Sequence, residues 1–308
     1  MSVNLAAVVE ALSREMPSVL RWGGAIAKQI RPFNVAVEGK QSGNANTDAL
    51  TLADLSIQEL IVAALRDTDP VFRQCRIEGE EATGDLRFFN QEAEVSITID
   101  PIDGTKQYRD RDGNGYCVML QLQTIDDVHY SLVYVPETGE HGTWVEAKNG
   151  QIFSGADDPS RSATEVLGSM EPWNDRRQTD SRRIYMIGFQ HRDAECAESL
   201  QSIGLEGVIS ANMPGSIYPL MATGEFAGSL IHSPNIYDFP ASMQIARSLG
   251  GDALWVHNQE PVNFNELWMD ERASMLRLPG VVACSADRDQ LIAMCEHAKD
   301  WNPERYVD

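Results

Sequence analysis

The chain has 308 residues, 43% of them hydrophobic and 23% charged, and a formal net charge of −21. That is enough apolar material for a sizeable core, as one large domain or two intimate halves, and no segment is biased enough to read as disordered. So acidic a surface repels nucleic-acid backbones and anionic membranes while attracting divalent cations.

No run of about 18 apolar residues occurs, so no membrane helix is expected. The N-terminus, MSVNLAAVVEALSREMP, lacks a basic start before an apolar block. It reads as an amphipathic helix and not as a signal peptide. Cys75, Cys117, Cys196, Cys284 and Cys295 are widely spaced and form no CxxC pair, which fits free thiols in a reducing cytoplasm.

In chain order, the first thirty residues read as a helix, with Leu5, Val8, Val9, Leu12, Met16, Val19, Leu20 and Ile26 on one stripe. EGKQSGNANTD (38–48) reads as a loop, and a second helix covers about 52–66, ending before Asp69-Pro70. IEGEEATGD (77–85) is short, acidic and broken by glycine. EVSITID (94–100) alternates strictly and is a half-buried strand. Strands at 116–122, 129–135, 143–147 and 151–153 follow, with turn residues such as PETG between them. The pattern predicts an antiparallel meander laid against two helices. Residues 155–183 are polar and read as a connection. Beyond them strands (184–189, 206–210, 226–231, 253–256, 280–285) alternate with helices (193–203, 215–223, 238–249, 286–298), which suggests a layered α/β half.

Five acidic positions stand out. Asp100 and Asp103 flank Pro101-Ile102 at a strand end, Glu80 lies in the loop upstream, Asp238 begins a helix, and Asp54 sits in the first turn of the second helix. Each admits a plainer role. Asp-Pro-Ile-Asp-Gly is a good turn, Asp238 favours a helix dipole, and Asp54 suits a cap. Together they supply the oxygen ligands that a hard cation such as Mg²⁺ needs. A carboxylate shared by two ions holds them about 3.5–4 Å apart, an arrangement suited to in-line attack on phosphate. Gly104 and Thr105 then offer backbone N–H groups to phosphate oxygens. Glu81 reads as an orienting or salt-bridging group. The six histidines show no ligand spacing.

DPIDGTKQY (100–108), IEGEEA (77–82) before it and YDFPASMQIARSLGG (237–251) together resemble the inositol monophosphatase family of Mg²⁺-dependent, lithium-sensitive phosphatases. TDALTLAD (47–54) is similar to its first acidic motif, and GVVACSADRDQLIAMC (280–295) to its last strand and helix. The resemblance spans roughly 38–298. It implies a layered αβαβα sandwich, usually a homodimer: one catalytic unit, 1–308, of two subdomains. Residues 1–155 would carry helices, an antiparallel sheet and most metal ligands, and 181–308 would supply Asp238 and substrate contacts.

Two to three Mg²⁺ ions are implied. Glu80, Asp100 and the Ile102 carbonyl would hold the first, and Asp100, Asp103 and Asp238 the second. Glu80 would also help hold a weaker third. Thr105 and Asp54 would orient and deprotonate the attacking water, and Gly104 and Thr105 would cradle the phosphate. Gly215-Ser216 matches a substrate-contacting position, or simply opens a helix. Lys106 reaches the substrate or is merely solvated.

Tyr237 stands where the family usually has tryptophan, and Pro240 replaces a small residue; a first-turn proline is tolerated. Ile231 stands where inositol-cleaving members carry an acidic residue that grips ring hydroxyls. DGTKQY is closer to branches acting on 3′-phosphoadenosine 5′-phosphate or histidinol phosphate. The implied substrate is one of these or an inositol or sugar phosphate. A family member that has lost catalysis and binds a ligand or partner is the alternative.

Overall fold

The structure is a computed structural model describing residues 3–33 and 51–306. The loop expected at 38–48 lies outside the described residues. Helix α1 (Leu5–Ile30) is capped by Asn4 and runs on through Pro17. It buries Val8, Leu12, Met16 and Leu20. Helix α2 (Leu52–Asp67) starts from a reciprocal capping box, in which Thr51 and Asp54 satisfy each other's backbone N–H groups.

Six strands form the first sheet in sequential order. They are β1 (Arg76–Gly79), β2 (Ser96–Asp103), β3 (Cys117–Gln123), β4 (Val128–Val135), β5 (Thr143–Lys148) and β6 (Gln151–Ala156). β2 to β6 are the predicted meander, but β1, not anticipated, joins its edge in parallel. Helix α3 (Thr105–Asp110) follows β2 directly, and α4 (Ala163–Gly168) interrupts the stretch read as a plain connection.

The second sheet has five strands, in the order β10-β13-β9-β7-β8. Its strands are β7 (Arg183–Ile187), β8 (Glu206–Ile209), β9 (Gly228–His232), β10 (Asp252–Trp255) and β13 (Val281–Ser285). Helices α5 (Asp193–Ser199), α6 (Ile217–Thr223), α7 (Phe239–Ser248) and α8 (Arg288–Ala298) alternate with them. A small hairpin of β11 (Trp268–Asp270) and β12 (Met275–Arg277), also unanticipated, lies in the loop before β13.

The layers follow from strand parity. On one face of the first sheet Ile97, Ile99, Leu120 and Leu132 pack against α1 and α2. On the other, Met119, Val133 and Val145 pack against α6 and α7. The far side of α7 meets Ala253, Val282 and Cys284 of the second sheet, whose outer face is covered by α5 and α8. This is the αβαβα sandwich the sequence implied. Lying between two sheets, α7 is buried along its length from Phe239 to Ala246, its polar Ser242 and Gln244 included. All five cysteines are buried and free. No described helix is long and apolar enough to cross a membrane.

Candidate active site

The DPID motif is neither a turn nor a simple strand end. Strand β2 runs through it to Asp103, and its pairing with β3 slips between Asp100, opposite Met119, and Asp103, opposite Cys117. One extra residue on β2 is a β-bulge. In a regular strand, residues three apart face opposite sides. The bulge restores common facing, so Asp100 and Asp103 both turn away from the α1–α2 core while Ile102 joins that core. Gly104, at φ 83°, then turns the chain into α3, a conformation glycine adopts without a Cβ penalty.

Asp238 reaches the same place from the second half of the chain, at the N-cap of α7. Carboxylate oxygens of Asp100, Asp103 and Asp238 lie within 4.8 Å of one another. Glu80, one residue past β1, is hydrogen-bonded to Asp100, and its backbone N–H continues the β1–β2 ladder to Ile99 O at 3.0 Å. Burial, then the charges of Glu80, Asp103 and Asp238, holds the Asp100 carboxyl well above its ordinary range. Burial followed by Asp103 and Glu80 does the same to Asp238. Burial pushes Asp103 up to about 6, against hydrogen bonds from Tyr218, Cys117 and the Gly104 N–H. Asp100 Oδ1 is buried with no hydrogen-bond partner among the described residues. Converging anions with an orphaned oxygen are costly alone, and hard-cation chemistry fits this all-oxygen donor set.

Asp54 lies behind Thr105. The Thr105 hydroxyl donates to Ile102 O at 2.7 Å and stands 3.4 Å from Asp54 Oδ1. Asp54 Oδ2 accepts from the Thr51 hydroxyl at 2.6 Å and the Thr51 N–H at 2.8 Å. The capping role and the contact with Thr105 therefore coexist, one on each carboxylate oxygen. Burial first, then the neighbouring Glu81 and Glu80 charges, raises Asp54 to about 7. Glu81 is buried, its backbone N–H held by Gln58 Oε1 at 3.0 Å.

One cavity of about 680 Å³ takes in Glu80, Asp100, Ile102, Asp103, Gly104, Thr105, Lys106, Gly215, Ser216 and Asp238; Asp54 is not in its wall. Lys106 pairs with Asp110 at 3.0 Å. Ser216 is the N-cap of α6, and Gly115 lets the backbones meet there, since a Cβ at that position would stand 2.7 Å from the Ser216 nitrogen.

Four contributors escaped the sequence. Asn235 Nδ2 donates to Asp238 Oδ2 at 2.9 Å, and its Oδ1 accepts from the Tyr237 and Asp238 N–H groups. This Asx turn, legible in Asn-Ile-Tyr-Asp, aims the carboxylate. Tyr218 on α6 bonds Asp103. Arg277 and Arg305 form part of the wall, and nothing in the local sequence marks them.

A layered αβαβα sandwich gathers carboxylates from both halves in one cavity, and the family match places it in the class of phosphoric monoester hydrolases. The chain belongs to the inositol monophosphatase family, whose sequence model matches residues 10–295. No curated protein matches. Among solved structures, CysQ from Bacteroides thetaiotaomicron is similar at 19% identity, with TM-score 0.63, 92% of this chain and 100% of that chain covered. Inositol monophosphatase from Anabaena (Nostoc) sp. PCC 7120 is 16% identical, with TM-score 0.61 and coverage of 97% and 98%. The extragenic suppressor protein suhB from Bartonella henselae is 14% identical, with TM-score 0.64 and coverage of 95% and 100%.

Proposed function

We propose that this protein is a Mg²⁺-dependent phosphomonoesterase acting on a small phosphorylated metabolite. The candidates are 3′-phosphoadenosine 5′-phosphate, an inositol or sugar phosphate, and histidinol phosphate. The observation that carries this reading is the convergence of Asp100, Asp103 and Asp238 around an unpartnered Asp100 oxygen in a cavity.

Glu80, Asp100 and the Ile102 carbonyl would hold one ion, and Asp100, Asp103 and Asp238 another. Bound Mg²⁺ supplies charge for the phosphate oxygens and acidifies a coordinated water. The chain's own residues do the rest. Thr105 is placed to accept the proton of an attacking water while passing its own to Asp54, a carboxyl at about 7 and so suited to take it near neutral pH. The Thr105 hydroxyl also donates to Ile102 O at 2.7 Å, so its turn toward Asp54 requires that bond to open. The N–H groups of Gly104 and Thr105 would hold the phosphate, the Gly104 N–H turning from the Asp103 carboxylate it meets in this structure, and Lys106 and the Gly215-Ser216 backbone line its path. Asn235 keeps Asp238 aimed.

We read the chain as one catalytic unit whose halves, 1–155 and 181–308, share a core of residues from both sheets. A homodimer is carried over from the family resemblance, and a cytoplasmic setting from five unpaired thiols. The test is phosphate release from each substrate group, with Mg²⁺ and with chelator. Release that needs Mg²⁺ supports the reading. No release from any substrate favours a non-catalytic binding protein. Lithium, added in excess over Mg²⁺, should inhibit; undiminished release would count against the metal chemistry.

A further inference from the structure

Arg277 ends β12 and Arg305 lies in the C-terminal segment, yet the two guanidiniums meet in the cavity wall. Both are almost fully buried, with side-chain exposures of 5% and 7%. They share one carboxylate. Asp270 accepts from Arg277 Nε at 2.8 Å and from the Tyr306 hydroxyl at 2.8 Å, while Arg305 Nε stands 3.8 Å away. The Arg305 guanidinium is hydrogen-bonded to the Tyr306 side chain, but its Nε is buried with no hydrogen-bond partner among the described residues. His232 beside them is neutral, since burial lowers it to about 4, and its ring nitrogens are spent on Ser233 Oγ and Asn302 O. Asp193, across from Arg305, has its carboxylate on the Phe189 N–H at 2.7 Å.

The arginines also grip consecutive carbonyls. Arg305 Nη1 donates to His232 O at 2.6 Å and Arg277 Nη1 to Ser233 O at 3.0 Å. That strand end leads through Asn235 straight to Asp238. Two positive groups therefore lie beside the acidic cluster, in one cavity, with the single carboxylate of Asp270 between them, hydrogen-bonded to Arg277 and 3.8 Å from Arg305. A buried guanidinium with an open N–H is costly unless an anion completes it, and the guanidinium fork suits phosphate and carboxylate oxygens.

We propose that Arg305, backed by Arg277, forms an anion subsite for the leaving group, so that the substrate is a phosphomonoester carrying a second anionic group. The inference rests on the phosphatase reading above and narrows it. A neutral polyol leaves the subsite unfilled, and a cationic amine such as that of histidinol phosphate is repelled by it.

The first test needs no variant. It compares kcat/KM within two matched pairs: adenosine 3′,5′-bisphosphate against adenosine 3′-monophosphate, and 3-phosphoglycerate against glycerol 3-phosphate. A preference of tenfold or more for the doubly anionic member of either pair is expected. The pair that shows it tells phosphate from carboxylate, and no preference in either pair overturns the proposal. Arg305→Gln should then shrink the preference about tenfold. Equal proportional loss on both members would mean that Arg305 only braces the 232–233 carbonyls, and would also overturn it. Calorimetry in chelator gives a readout free of turnover, using adenosine 5′-monophosphate and adenosine as probes that lack the scissile phosphate. Tighter binding of the nucleotide, lost in Arg305→Gln, supports the subsite even if no phosphate is ever released. Equal binding of the two probes counts against it.

Discussion

Replacing Asp103 with asparagine separates the electrostatics of the acidic cluster from its packing. Asparagine keeps nearly the same shape and an oxygen to accept from Tyr218 and the Gly104 N–H, but removes one of the converging charges. The Asp103 carboxyl titrates at about 6 in the fold, against an ordinary 3.8. A raised carboxyl contributes stability that is fully present below about 3.8 and is lost as pH rises through about 6. At pH 7.5 the metal-free protein therefore bears the full cost of ionising Asp103, about 2–3 kcal/mol at roughly 1.4 kcal/mol per pH unit. Asp103→Asn should thus melt higher than the parent in chelator at pH 7.5, by roughly 3–5 °C for a chain of this size. In Mg²⁺ at about a hundred times its dissociation constant the parent should gain about 2.7 kcal/mol, and the variant little or none. Circular-dichroism melts of both proteins, with chelator and with excess Mg²⁺, measure all four states. A variant less stable than the parent without metal, or one with an undiminished Mg²⁺ increment, would refute the reasoning.

Asn235→Ala should leave the fold intact while weakening metal affinity roughly 10–100-fold, because it frees Asp238 to swing; calorimetric Mg²⁺ titration reads this directly. Thr105→Val should lower kcat by about 10²-fold or more with little change in KM, whereas Thr105→Ser should retain most activity, since only the hydroxyl relays a proton. An inactive serine variant would point to packing instead. Mg²⁺ must displace protons from carboxyls held high, so its apparent affinity should fall as pH drops through about 6; affinity independent of pH between 5 and 7.5 would contradict this.

Much of the scaffold is legible in the sequence because alternation survives burial. Val95, Ile97 and Ile99, spaced by two, are enough to mark β2 and its core-facing side, and the acidic residues at 80, 100, 103 and 238 do line one cavity. What escaped has physical causes. The bulge at Pro101-Ile102 leaves no local trace, because pairing register belongs to two strands together and is written in neither alone. β1, β11 and β12 are four, three and three residues long, too short for periodicity to speak. Helix α4 does leave a signal, the Ser162–Glu165 capping box, submerged in a polar stretch. Arg277, Arg305 and Tyr218 read as ordinary residues because their roles come from tertiary contacts between layers.

The bulge in β2 also bears on which sequences can exist. Paired regularly with β3, as one inserted residue opposite the bulge would allow, the same three-residue spacing would put Asp103 on the face opposite Asp100 and point its carboxylate into the apolar layer beneath α1 and α2. An unpaired charge there costs several kcal/mol, a large share of what holds a domain together. An insertion that straightened the bulge would therefore be removed by misfolding before it could be tested for function. The spacing that serves chemistry is enforced by folding itself.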